Sequence, residues 1–408
     1  MSSTAYVHYH TLTRGHAGTI NVLAFSPDSQ YLASGSDDRS VIIWNVPSGK
    51  SLYRFSFESR VDSLLWHPRW EETLIVACES GSLQQVYGFS MAHYGVYDIN
   101  LGVRSHIYCL DFHPSSCLLA AGVGPEVHMT REISRNQYAC ASMRLPEPAA
   151  NTDMDDPRYR AVALKFNEAG GQLIVTYLSH GIVCWDISTR QSIWRLVPPT
   201  TDYAIGHSAI SPDYRQIVVH NFQDGLQQYA IKGKESPHPM LKYLFDTHSD
   251  SKLALQVAFL HHGRAVISGT STGRVCIWET ASGDYFQQLP HDGDTIVAVT
   301  GCQRGEFSYV ATGAASKGAE TYIKIWRAKI AGLSTPQYII ARATLYEVLM
   351  RSWHIMPCLS ADDTQKIVSG IVVTVVSLLI PWALYRMSLL IPWNQVVQFS
   401  VIQVCHYG

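Results

Sequence analysis

The chain has 408 residues, of which 47% are hydrophobic and 16% charged, with a formal net charge of −2. That length holds one large or two medium domains, and the balanced charge gives no broad pull toward a polyanion, so nucleic acid is not an expected partner. Nine cysteines without a C-x-x-C pair read as reduced thiols of an intracellular protein facing the cytosol, not as a disulfide framework.

The N-terminus, "MSSTAYVHYHTLTRG", lacks the basic region and apolar run of a secretory signal. Within it "TAYVHYHTL" (4–12) alternates like a strand. Residues 20–45 then read "INVLAFSPDSQYLASGSDDRSVIIWN". This is an alternating apolar strand, a Ser-Pro-Asp turn, a second strand, an Asp-rich turn and a third strand ending in Trp44, the period-2 grammar of antiparallel sheets.

The unit returns along the chain. Its first strand recurs as "VDSLLWHP", "IYCLDFHP", "AVALKFNE", "SAISPD", "ALQVAFLHH" and "IVAVTGCQ", and its third as "LQQVYGF", "EVHMTRE", "IVCWDI", "LQQYAI", "VCIWET" and "YIKIWRA". The landmark position falls at Trp44, Tyr87, Met129, Trp185, Tyr229, Trp278 and Trp326. Three strands and a weaker fourth fit roughly 40–45 residues per propeller blade. Seven units imply seven blades, and a ring that stays open exposes two sheet edges. Residues 4–12 are therefore expected to form the outer strand of the last blade, beside "YIKIWRA".

"GHAGTINVLAFSPDSQYLASGSDDRSVIIWN" resembles the WD-repeat family. Gly15-His16 opens the unit, "SGSDD" marks the second turn, and Trp44-Asn45 stands where the family has Trp-Asp. The resemblance covers about residues 5–328. It is specific in repeat one, good around Trp185-Asp186 and Trp278-Glu279, and faint in repeats two, three and five. It implies an all-β, seven-bladed propeller over residues 1–330. It also implies a hydrogen-bonded network inside blade one made by His16, Ser34, Asp38 and Trp44. The acid position holds Ser179, Thr272 and Glu320 in repeats four, six and seven, so those blades are expected to lack the full network.

Other motifs read structurally. The long interval between Met129 and Trp185 contains "MRLPEPAANTDMDDPRYR" (143–160), a solvated loop or a partner-docking segment. "GTSTG" (269–273) matches the nucleophile-elbow pattern, but it falls between two strands where a tight turn belongs. His261 and His262 are adjacent, and neighbouring strand residues face opposite sides, so a shared metal is not expected. Asp153, Asp155 and Asp156 lack the glycine and distal glutamate of a calcium loop. No cofactor or small-molecule substrate is expected.

After the repeats, 331–366 hold a candidate amphipathic helix (336–353) and a polar linker, and 367–408 form a hydrophobic tail. Residues 367–385 are uncharged and long enough to span a bilayer, with Lys366 and Arg386 as flanks. Three readings stay open for them: a C-terminal membrane anchor with the propeller on the cytosolic side, a buried core helix, or sequence that is not native coding sequence. For function, the resemblance implies a non-catalytic scaffold that brings proteins together. The alternatives are a soluble peptide-reading module and a propeller-framed hydrolase, which needs a convergent catalytic group at the ring's mouth.

Overall fold

The computed structural model describes residues 5–90, 93–140, 142–148, 160–198, 204–231, 238–244, 253–315 and 318–330. All lie in the first of two units, Met1–Ser334. They form seven antiparallel sheets, six of four strands and one of five, in which consecutive strands pair in order from the inside outward. The inner strands are Ile20–Phe25, Val61–Trp66, Ile107–His113, Ala161–Phe166, Ile205–Ile210, Val257–Leu260 and Ile296–Arg304. Each packs against the inner strand of the next blade, and that of blade seven packs against that of blade one, so the ring is closed.

Closure is made by the chain's first strand. Val7–Leu12 pairs antiparallel with Ile323–Lys329, the third strand of blade seven, as the alternation of residues 4–12 predicts. The seam is as apolar as the others. Leu12, Ile20, Leu32 and Trp44 pack in one cluster with Ala298, Tyr309, Ile323 and Ile325. A fully buried aliphatic side chain contributes on the order of 1.5–3 kcal/mol, and this cluster is how the two ends of the propeller are held together. A second contact locks the entry. Tyr6 is buried, and its hydroxyl lies 3.1 Å from His261 Nε2 and 2.7 Å from Ser308 Oγ. Its backbone amide donates to Gln287 Oε1 at 2.7 Å, while Gln287 Nε2 donates to the Tyr6 carbonyl at 2.8 Å. Blades six and seven thus both grip the residue before the closing strand.

Register corrects two of the landmarks. Trp44 lies opposite Leu32, which in turn lies opposite Phe25 on the inner strand. The same ladder leads to Trp185, Tyr229, Trp278 and Trp326, but in blade two it leads to Val86 and in blade three to Thr130. Tyr87 occupies the Asn45 position and Met129 the Ile43 position. Adjacent strand residues face opposite sides, so neither side chain stands in for the tryptophan. The segment 143–160 also starts differently from a plain loop. Met143–Arg144 pairs with the third strand of blade three, and Leu145 is buried; residues 149–159 lie outside the described ones.

His261 and His262 sit in a 3-10 turn, not on a strand, both with φ above +50°. His261 is turned inward to Tyr6 and His262 is exposed, so the pair is split by the turn and not by strand alternation. "GTSTG" closes a hairpin between Ala265–Gly269 and Arg274–Glu279. Gly273 has φ +79°, and a Cβ there would lie 2.2 Å from the backbone of Gly293. The glycine answers a close approach of two loops, and no helix follows to make an elbow. The seven cysteines among the described residues are free thiols. The candidate helix 336–353, the linker, the span 367–385 and its flanks Lys366 and Arg386 lie outside the described residues. Among the described residues no helix is long and apolar enough to cross a membrane.

Candidate functional site

Six of the seven inner strands carry an extra residue at the same level: Asn21, Asp62, Tyr108, Val162, Gly206 and Val297 interrupt the register with the second strand. A bulge bends the strand and re-aims the local side chain. Here it recurs just after the chain enters each of these six blades, at one mouth of the central channel. Across blades two to four these positions support a continuous run of polar contacts. Arg60 Nε lies 3.3 Å from Asp62, which accepts from His106 Nε2 at 2.7 Å. His106 stacks on Tyr108 with ring centroids 3.9 Å apart, and the Arg160 guanidinium lies 5.0 Å from the centre of the Tyr108 ring. Arg160 Nε is buried without a hydrogen-bond partner among the described residues. On the opposite arc Gln256 ties three blades together: its amide donates to Val297 O at 2.9 Å, and its side chain donates to Asn21 O at 2.9 Å and accepts from Val299 N at 3.3 Å. One arc of the mouth is cross-linked by Gln256; the other offers charge and an aromatic face.

The four residues named for blade one are brought together near the same mouth. Trp44 Nε1 donates to Ser34 Oγ at 2.9 Å, Ser34 Oγ lies 2.8 Å from His16 Nε2, and His16 Nδ1 lies 3.0 Å from Asp38 Oδ2. A carboxylate only accepts, so the proton on Nδ1 faces Asp38 and Nε2 is left to accept from the serine hydroxyl. Asp38 also accepts from the Ala17 amide at 2.9 Å and from Ser40 Oγ at 2.6 Å, and Arg54 lies 3.2 Å away. Burial alone would raise the Asp38 carboxyl; hydrogen bonds from His16, Ser40 and the Ala17 amide outweigh it and hold it well below the usual carboxylate range.

Blade seven holds a related chain that the acid position did not reveal. Trp326 Nε1 donates to Thr312 Oγ1 at 3.1 Å, and Thr312 Oγ1 lies 2.9 Å from His291 Nε2. Tyr322 Oη donates to Asp294 Oδ2, and its ring stacks on His291. The acid therefore comes from the loop that follows the histidine, not from Glu320. This blade, expected to lack the full network of blade one, holds a chain of different membership. Pro290-His291, standing where repeat one has Gly15-His16, was the readable signal. In blade four the residue in the Ser34 register is Val175, so Trp185 has no hydroxyl beneath it at that position; Asp186 instead caps the next turn through Ser188 and Thr189. Trp278 is buried against Tyr243.

A second polar centre lies where blades two and three meet, near the far ends of their inner strands. Glu132 is buried; it accepts from Trp70 Nε1 at 2.7 Å and lies 3.3 Å from His67 Nε2. Burial pushes the Glu132 carboxyl up and the His67 imidazole down to about 4. The Arg69 amide donates to His67 Nδ1 at 3.2 Å, which leaves the Nε2 proton of a neutral imidazole facing the carboxylate. No group of three or more histidine, cysteine or acidic side chains among the described residues is arranged to hold a metal ion.

The model of the WD domain, G-beta repeat, matches residues 7–45, which run from the closing strand through the third strand of blade one. The chain is a seven-bladed propeller whose first blade matches a WD repeat. Its curated relatives include the ribosome biogenesis protein ERB1 of Lodderomyces elongisporus, 29% identical over 103 residues, which is 22% of this chain and 12% of that protein. The BOP1 homolog of Dictyostelium discoideum is 43% identical over 54 residues, 13% of this chain and 6% of that protein. Ribosome biogenesis protein bop1-A of Xenopus laevis is 36% identical over 70 residues, 17% and 10% respectively. The chain thus matches between 6% and 12% of these relatives' length, and the WD repeat of blade one is what the family model has in common with the geometry above.

Proposed function

We propose that this chain is a non-catalytic platform that gathers proteins on a closed WD-repeat ring and reads a partner's segment over one mouth of the channel. The observation that carries the reading is the arc Arg60–Asp62–His106–Tyr108–Arg160, five side chains from three blades set on, or on the residue just before, bulged inner strands. Arg160 presents a guanidinium with a buried, unpartnered Nε, a donor set suited to a carboxylate or backbone carbonyl of an extended segment. The propeller unit ends near residue 330, after Ile323–Lys329, and the remainder, 331–408, is assigned no part in binding.

RNA is the second reading, and the relatives' ribosome biogenesis names are its support. The two separate in one experiment. The tagged full-length chain is isolated from its native extract with and without ribonuclease, beside Arg160→Glu and Tyr108→Ala variants. The proposal expects a stoichiometric protein partner that survives ribonuclease and is lost with Arg160→Glu. A partner released by ribonuclease favours RNA, and recovery unaffected by both variants removes the mouth from the account.

A further inference from the structure

A cavity of about 540 Å³ opens between blades four and five, at the turns that follow their inner strands. Its volume lies in the range of ligand pockets. Its walls are Ile174, Ile231 and the rings of Trp194 and Tyr214, and Glu168 and Asp213 stand at its rim. Both rings are half-buried and both acids are exposed.

The charges around the opening can be counted. Lys165 is held by Asp111 at 2.8 Å. Asp213 caps its own turn, accepting from Ser211 Oγ at 2.6 Å and the Arg215 amide at 3.1 Å, with the exposed Arg215 guanidinium 3.8 Å away. Glu168 has no ion-pair partner among the described residues; only its backbone carbonyl is engaged, by His113 at 3.0 Å. One carboxylate is left uncompensated beside two aromatic walls. An aromatic face attracts a cation through its quadrupole, and more strongly as water is excluded. An apolar floor additionally favours a cation on a hydrocarbon stem.

We propose that this cavity receives a lysine side chain, with its ammonium group unmodified or methylated, from a protein partner of the ring. The proposal rests on the platform reading for the source of the lysine, but the cavity's chemistry is tested without any partner. The full chain is labelled with 5-fluorotryptophan, and the Trp194 resonance, assigned by Trp194→Phe, is followed by fluorine NMR. The probes are Nα-acetyl-lysine N-methylamide and the uncharged Nα-acetyl-norleucine N-methylamide. The expected result is saturable movement of the Trp194 resonance with the lysine probe at millimolar concentration. The norleucine probe should bind about ten-fold more weakly, as a desolvated cation–aromatic contact implies. Glu168→Gln, an exposed change that leaves the other tryptophan resonances in place, should weaken the lysine probe about three-fold or more. Equal binding of the two probes, indifference to Glu168→Gln, or a Trp194 resonance that does not move overturns the proposal. Failure here leaves the mouth experiment untouched, and failure there leaves this one standing.

Discussion

Replacing Ser34 by alanine removes one oxygen that serves two buried partners. Ser34 is fully buried, accepts from Trp44 Nε1 at 2.9 Å, and lies 2.8 Å from His16 Nε2. Alanine leaves an indole N–H and an imidazole nitrogen in a dry interior, and each such orphan costs about 1–3 kcal/mol. The expected loss is therefore about 2–6 kcal/mol, measured as the shift in a urea unfolding curve followed by circular dichroism. The same substitution in a Trp44→Phe background should cost about half as much, because one orphan has gone with the indole. That non-additivity is the signature of the network as opposed to lost packing. A loss below about 0.5 kcal/mol, or an equal loss in both backgrounds, would refute the claim that the serine is the hinge of the chain from Trp44 to Asp38.

Three further outcomes follow from the contacts that hold the ring. Tyr6→Phe keeps the ring but strips the hydroxyl from His261 and Ser308, and should lower stability by about 1–3 kcal/mol; an unchanged urea midpoint would show that these groups re-pair without it. Deleting residues 1–12 should destabilise the whole ring, lowering the midpoint of every sheet signal together, because the seam between blades seven and one loses Leu12 and its covering strand. Acid should act earlier than carboxylates alone would have it. Burial pushes His220 and His261 down to about 4 and His291 to about 3. The unfolded chain takes up these protons near pH 6.5 and the folded one does not, so their stability is complete above that pH and is lost as pH falls from about 6.5 toward 4. Each histidine costs up to about 2 kcal/mol at pH 5. Thermal midpoints that stay level from pH 7.5 to 5 would contradict this.

The ring and its closure were legible because both are written in local grammar: period-2 strands, turn residues, and a spare strand at the start of the chain. The register was less legible. Tyr87 and Met129 are the bulky residues nearest the landmark spacing, yet counting from the second turn places Val86 and Thr130 beside the tryptophans. The blade-one network could be named from Gly15-His16 and Trp44. The one in blade seven was missed because its acid, Asp294, sits in a different loop from Asp38. Tyr6 with His261 and Ser308, and the cavity between Trp194 and Tyr214, join residues distant in sequence or drawn from separate turns. No spacing encodes such contacts; they exist only once neighbouring blades have packed.

Native-state hydrogen exchange across the closing strand tests the account most directly. If the ring is one cooperative body, the hydrogen-bonded amides of Val7–Leu12 and of Ile323–Lys329 should exchange with the same free energy, through global unfolding, across a urea series. Exchange of Val7–Leu12 at much lower urea, while Ile323–Lys329 stays protected, would mean that the ring holds without its first strand, and the closed platform would have to be redrawn.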